Sequence, residues 1–187
     1  MLRKLSEHEL PRDRVRVFQV DERIAPDGDP ERNIVHIQEE FADRISIPLE
    51  NLYAMPVTME DLDEGARQYE RTLTEVAGES PVLDVVHLWL GGDGHTASLV
   101  PGHSVLNVSD CDVSTTEAYD GRRRMTLTYP IINRARRILW LITGERKAEM
   151  LHRLIHADHG IPAGRISRNQ ATVVADDAAL RLYEPME

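Results

Sequence analysis

Cysteine is nearly absent from this 187-residue chain: Cys111 stands alone, so no disulfide can form within it, and a reducing, cytoplasmic setting is expected. Long apolar runs are missing as well. None approaches membrane-spanning length, and the first ten residues, Met1 to Leu10, hold no apolar stretch of signal-peptide kind. Positive charge is in deficit, with 22 basic against 32 acidic residues and a formal net charge of −10. That balance argues against nucleic acid or an anionic membrane as partner, although a small anion needs only a local basic pocket. Lysine is scarcer still: Lys4 and Lys147 stand beside twenty arginines. A lysine kept in so arginine-biased a chain is a hint that its position matters. Repeats, low-complexity tracts and linkers are also lacking, which predicts one domain over residues 1–187.

What is present is concentrated around residues 88–102, Leu-Trp-Leu-Gly-Gly-Asp-Gly-His-Thr-Ala-Ser-Leu-Val-Pro-Gly. An apolar run from Val82 to Leu90 stops at Gly91, Gly92 and Gly94, which reads as a buried strand ending in a tight loop. Without Cβ atoms, such a loop lets backbone N–H groups converge on an anion or a developing oxyanion. Gly91, Gly92 and Gly94 are therefore candidate substrate-binding positions. His95 follows, and an imidazole with an ordinary pKa of about 6.5 suits a proton acceptor near neutrality. Thr96 to Leu99 allow one short helical turn before Pro101 and Gly102 end it.

Along the chain, residues 14–20 alternate as a strand ending in Asp21-Glu22-Arg23, where α/β proteins form ligand crevices; a plain cap at Asp21 and a solvated Arg23 are the alternative. Residues 25–30 read as a loop and 31–45 as a helix. A short strand fits 53–56, and a helix fits 61–76, closed by Gly78. Residues 103–121 have no period and end in the turn Tyr119-Asp-Gly121. Strands are expected at 122–129, 137–143 and 171–174, with helices at 131–136 and 147–156. Asp176 is expected to cap a C-terminal helix. Strands alternating with helices predict an α/β fold with a mostly parallel sheet and helices on both faces.

Several motifs compete. Lys147 falls in the first turn of a helix, where a cation is unfavourable unless an anion arrives, so Gly144-Glu-Arg-Lys147 fits a phosphate site or a lysine reaching into water. Arg124 either reaches a pocket beside its strand or joins a solvated basic edge. Gly92-Asp-Gly-His-Thr-Ala97 approaches a dinucleotide fingerprint, but Pro101 would break the required helix and a histidine occupies the pyrophosphate position. His152, His156 and His159 share a helical face, yet no acidic zinc motif accompanies them and helix C-termini favour histidine anyway, so no metal is assigned. His87 reads as a core histidine. No G-x-S-x-G elbow exists, and Cys111 lies in a featureless stretch, so a covalent acyl-enzyme lacks support. A histidine base, glycine-loop donors and cations suit attack of water on a carbonyl carbon of a phosphorylated small molecule.

Asp93-Gly-His-Thr-Ala-Ser-Leu-Val-Pro-Gly102 resembles the signature of the 6-phosphogluconolactonases. The likeness continues in order through Asp21-Glu-Arg23, Asn33, Arg124-Met-Thr-Leu-Thr128, Asn133, Ala135, Gly144-Glu-Arg-Lys147 and Pro162-Ala-Gly-Arg165. It implies a Rossmann-like sheet shared with glucosamine-6-phosphate deaminases and ribose-5-phosphate isomerases. It also implies hydrolysis of 6-phosphoglucono-δ-lactone to 6-phosphogluconate in the oxidative pentose phosphate pathway, without a cofactor. His95 would activate water with Asp93 beside it, and Arg23 and Lys147 would hold the phosphate or sugar acid. Two departures stand out. The family's upstream phosphate loop has no counterpart before Asp21, so an N-terminally truncated fold is expected, with weaker phosphate binding and an open sheet edge that invites homo-oligomers. Trp89 stands where the family has glycine, either crowding the loop or turning into the core. The competing functions are a sugar-phosphate deaminase or isomerase, and a member that binds sugar phosphates without turnover; the family's deaminases continue from Gly-His into Ile-Ala-Phe-Asn-Glu, unlike Thr96-Ala-Ser-Leu99.

Overall fold

Residues 2–183 are described by a computed structural model, and along them short strands alternate with helices. A one-turn helix α1 (Leu2–Leu5) precedes strands β1 (Val17–Phe18) and β2 (Asp21–Arg23). The next helical segment is α2 (Asn33–Ile37), a π turn (Gln38–Ala42) and α3 (Asp43–Ile45), ended by a left-handed Ser46 (φ 53°). Its buried Phe41 and Ala42 join Ile47 in a small cluster against which Leu10, Val17 and Leu52 pack. Strand β3 (Leu52–Tyr53) lies parallel to β1, stacking Phe18 on Tyr53 with ring centroids 4.4 Å apart.

Helix α4 (Leu62–Ala77) shows why its sequence is helical. The Asp61 carboxylate accepts from the N–H groups of Asp63 (3.0 Å) and Glu64 (2.9 Å), closing the N-terminus. Ala66, Tyr69 and Leu73, spaced three and four apart, are buried on one face. Gly78 at φ 92° ends it. The remaining elements are β4 (Val86–Leu88), β5 (Val113–Thr115), β6 (Arg124–Leu127), α5 (Tyr129–Arg134), β7 (Ile138–Ile142), α6 (Ala148–Ile155) and β8 (Ala171–Ala175).

Two three-stranded sheets carry the main core. In the parallel one, β7 lies between β4 and β8, pairing Leu88 with Trp140. In the antiparallel one, β6 lies between β2 and β5 and is buried throughout. Trp140, Leu88, Leu127, Met125, Ile131 and Leu73 are each at most 1% exposed. Each such side chain contributes roughly 1.5–3 kcal/mol through burial.

The differences from the sequence reading have local causes. Within residues 82–90 only Val86–Leu88 pair, and Val82 and Val85 stay exposed, because the chain reaches the sheet only where Val86 N–H meets the Arg137 carbonyl. Residues 14–20 shrink to Val17–Phe18, and Asp21–Arg23 form a strand of their own instead of a polar strand end. Strand β5 emerges from the stretch without period, since only Val113 of its three residues is buried. Asp176 caps a turn and not a helix among the described residues, accepting from the N–H groups of Ala179 (2.8 Å) and Gly144 (3.0 Å). The parallel sheet with flanking helices is there, joined by an antiparallel sheet that alternation alone did not announce.

Candidate active site

The loop after β4 owes its shape to its glycines. A Cβ on Gly91 would lie 2.2 Å from His95 Nδ1, so only glycine lets the imidazole fold back over the backbone. Gly94 adopts φ 84°, and a Cβ there would lie 2.6 Å from the Ile161 Cβ. The N–H of Gly91 donates to the His95 carbonyl (2.8 Å) and that of Gly94 to the Gly91 carbonyl (3.2 Å). These two amides close the loop instead of facing a ligand, which corrects the expectation of converging donors at both positions. A Cβ on Gly92 would meet nothing within 4 Å. Residues 96–99 form a tight turn, not a helical one, because Ala97 sits in the left-handed region at φ 48°.

His95 is buried, at 4% exposure. Its Nδ1 lies 2.5 Å from Asp93 Oδ1, and its backbone N–H donates to the same oxygen at 3.1 Å. Nε2 is buried with no partner among the described residues. With Nδ1–H held by a carboxylate, Nε2 is the nitrogen with a lone pair to accept a proton. Burial pushes the Asp93 carboxyl up, but the backbone N–H and ring of His95 outweigh it and keep the carboxyl below the usual range.

Two aromatic rings wall the imidazole edge-on: Trp89 with centroids 4.9 Å apart and Tyr119 at 5.1 Å. Each ring carries a cation, Lys147 Nζ lying 5.1 Å from the Trp89 centroid and Arg124 Cζ 5.2 Å from that of Tyr119. Trp89 thus neither crowds the loop nor enters the core; it is 44% exposed and links the histidine to the lysine. Arg124 is buried, with Nε unpartnered among the described residues and Nη1 4.0 Å from Asp21 Oδ2. Burial raises the Asp21 carboxyl above its ordinary range, against the pull of Ser98 and Arg124. Ser98 Oγ donates to Asp21 Oδ2 (2.6 Å) and Asn33 Nδ2 to Oδ1 (3.1 Å), tying the His95 loop to β2.

Arg23 donates to Asn33 Oδ1 (3.3 Å) and to the Glu31 carbonyl. It lines a cleft of about 310 Å³ with Arg122, Arg124, His36, Glu31 and Asp120. Arg122 is paired with Glu31 (2.7 Å) and Asp29 (3.4 Å), leaving Arg23 and Arg124 as the cations that offer charge to an anion there. A larger hollow of about 520 Å³ beside the start of α4 is walled by Glu60, Asp61 and Asp63 with Arg123, a charge balance unsuited to phosphate.

Glu22 and Tyr119 were not singled out by sequence. Glu22, wholly buried, accepts from the N–H groups of Arg23, Asn33 and Ile34 and from Gln19 and Arg32, so it caps α2 from a neighbouring strand. Its place in the charged triplet Asp21-Glu22-Arg23 carried no signal of that. His87 lies in β4, and burial lowers its imidazole. His152 on α6 and His156 just after it have ring centroids 4.3 Å apart at a 33° tilt, and His156 Nδ1 bonds the His152 carbonyl (2.8 Å), so that nitrogen is already committed. Burial, then Glu70 and Asp110, push the Cys111 thiol up, the opposite of what a thiolate nucleophile needs.

A family model described as glucosamine-6-phosphate isomerases/6-phosphogluconolactonase matches residues 1–175. A 6-phosphogluconolactonase of Nostoc sp. is 36% identical over 151 residues, 79% of this chain and 62% of that protein. One of Synechocystis sp. matches with the same identity and coverage. The chain therefore spans 62% of the length of these two relatives. Among solved structures, a 6-phosphogluconolactonase from Thermotoga maritima superposes with a TM-score of 0.81 at 27% identity, covering 93% of this chain and 78% of that one.

Proposed function

The chain belongs to the family of glucosamine-6-phosphate isomerases and 6-phosphogluconolactonases, and on that premise we propose that it hydrolyses 6-phosphoglucono-δ-lactone to 6-phosphogluconate with His95 as general base. The observation that carries this reading is the Asp93–His95 pair, 2.5 Å apart, with Nε2 unpartnered and cations on both flanking rings.

Nε2 takes a proton from water as the water oxygen bonds to the lactone carbonyl carbon. The tetrahedral oxyanion then collapses, the bond from that carbon to the ring oxygen breaks, and the imidazolium returns its proton to the departing oxygen. The product is an open-chain acid that ionises in water. Asp93 holds the ring and stabilises the transient imidazolium, and a positioned base of this kind contributes about 10²–10⁴-fold. Hydrolysis moves no electrons to an acceptor, so it asks for no redox cofactor. Arg23, Arg124 and Lys147 supply the positive charge that a phosphate dianion and a developing oxyanion require. Gly91 and Gly94 shape the loop, and Gly92, which no neighbour crowds, leaves room for substrate. Strand β8, at the end of its sheet with Val173 and Val174 exposed, supports self-association through that edge.

The test compares kcat/KM for the phosphorylated lactone with that for glucono-δ-lactone, each corrected for spontaneous hydrolysis. A preference of about 100-fold, cut about tenfold or more by Arg23→Met or Lys147→Met, is expected from charge-assisted bonds. Equal turnover of both lactones would overturn it, and release of ammonia from glucosamine 6-phosphate would reassign the reaction.

A further inference from the structure

We propose that Tyr119 is a positioning residue for the general base, its hydroxyl holding Asp93 and its ring holding the imidazole in the orientation that leaves Nε2 without a hydrogen-bond partner among the described residues. The proposal rests on His95 being the base of the site. Tyr119 stands at the tip of the hairpin joining β5 to β6. Asp120 (φ 51°) and Gly121 (φ 77°) form the two central residues of that turn, both left-handed, and Tyr119 and Arg122 exchange backbone hydrogen bonds of 2.9 and 3.3 Å across it. This turn delivers the phenol over the glycine loop of another sheet. Its Oη donates to Asp93 Oδ2 at 3.3 Å, the oxygen that His95 does not use, while its ring meets the imidazole edge-on at 5.1 Å.

The hydroxyl and the imidazolium compete for the charge of one carboxylate. A donor on Oδ2 draws charge away from Oδ1, so it weakens the hold of Asp93 on a protonated His95 and favours the neutral, proton-accepting imidazole. Other groups also face this centre. Lys147 lies across Trp89, Arg124 lies over Tyr119, and Asp120 adjoins it. His103, 3.4 Å from Glu117, has its ring 6.4 Å from that of Tyr119. None of these changes in Tyr119→Phe, which removes one oxygen and keeps the ring.

The experiment follows the His95 ring signals by NMR titration, identified by their loss in His95→Gln. In Tyr119→Phe the His95 titration should move up by about half a pH unit, and the acid limb of kcat/KM should move with it. Because Tyr119 is half-buried, the unfolding temperature should hold. In an Asp93→Asn background the same deletion should move nothing. An unchanged titration in folded Tyr119→Phe, or an equal shift without the carboxylate, overturns the proposal. The titration needs no turnover, so a shifted His95 in a chain that leaves the lactone untouched would sustain this inference and refute the hydrolase reading.

Discussion

Replacing Gly91 with alanine separates the architecture of the loop from its chemistry. The added Cβ would lie 2.2 Å from His95 Nδ1 and 2.7 Å from Asp93 Oδ1, so both partners of the 2.5 Å pair must retreat. A Cβ essentially never comes within 3.0 Å of a heavy atom beyond its own residue and chain neighbours, so the imidazole moves by most of an ångström or rotates off the carboxylate. A misplacement of about 1 Å costs on the order of 100-fold in rate. Gly91 has no positive φ, so alanine adds no backbone strain, and the unfolding free energy should fall by only about 1–2 kcal/mol for the collision itself. Gly94→Ala is the contrasting case. Its left-handed backbone and the Ile161 collision together cost about 2–4 kcal/mol of stability, while Nδ1 itself meets no new atom. Lactone turnover and urea unfolding of both variants read the two effects. Full activity in Gly91→Ala would refute the claim that this glycine exists to admit the imidazole.

Two further outcomes follow from buried polar groups. Tyr69 Oη accepts from Gln19 N–H (2.7 Å) and donates to the Tyr53 carbonyl (3.1 Å), so Tyr69→Phe strands buried partners and should lower unfolding free energy by about 1–3 kcal/mol, measured in urea. Asp21 binds its proton more tightly folded than unfolded, because burial raises its carboxyl. The native state therefore holds the extra proton, and this group's contribution is fully present below the ordinary carboxylate value and lost as pH rises through the raised one. Asp21→Asn should remove that decline from a stability-against-pH curve; an unaltered slope through mildly acidic pH would contradict it.

The parts of the molecule that could be read from sequence are those set by local chemistry. The Ala66, Tyr69, Leu73 stripe lies within α4 and its Gly78 stop directly after it, and the unbroken apolar run Ile138 to Ile142 marks β7 as a buried strand unaided. The glycine loop with His95 and Asp93 is likewise contiguous, and it forms one compact unit in space. What escaped depends on distant partners. Asp21 and Glu22 read from sequence as a charged strand end, either at a ligand crevice or with Asp21 as a plain cap, until Ser98, Asn33 and the start of α2 surround them. Strand β5 exists because β6 pairs with it, not because of its own residues. Tyr119 belonged to a recognisable Asp-Gly turn, but no local pattern says which loop a hairpin tip will touch. The identity of Trp89 was plain, whereas its role as the surface shared by His95 and Lys147 required coordinates.

The central claim is that His95, paired with Asp93, takes a proton from water during opening of a phosphorylated lactone. The most direct measurement is the rate of loss of 6-phosphoglucono-δ-lactone, with the spontaneous rate subtracted, for the unaltered chain and for His95→Gln at equal folded concentration. Clear acceleration by the first and a loss of about 100-fold or more in the second is the predicted result. Acceleration that survives the loss of the imidazole would contradict it.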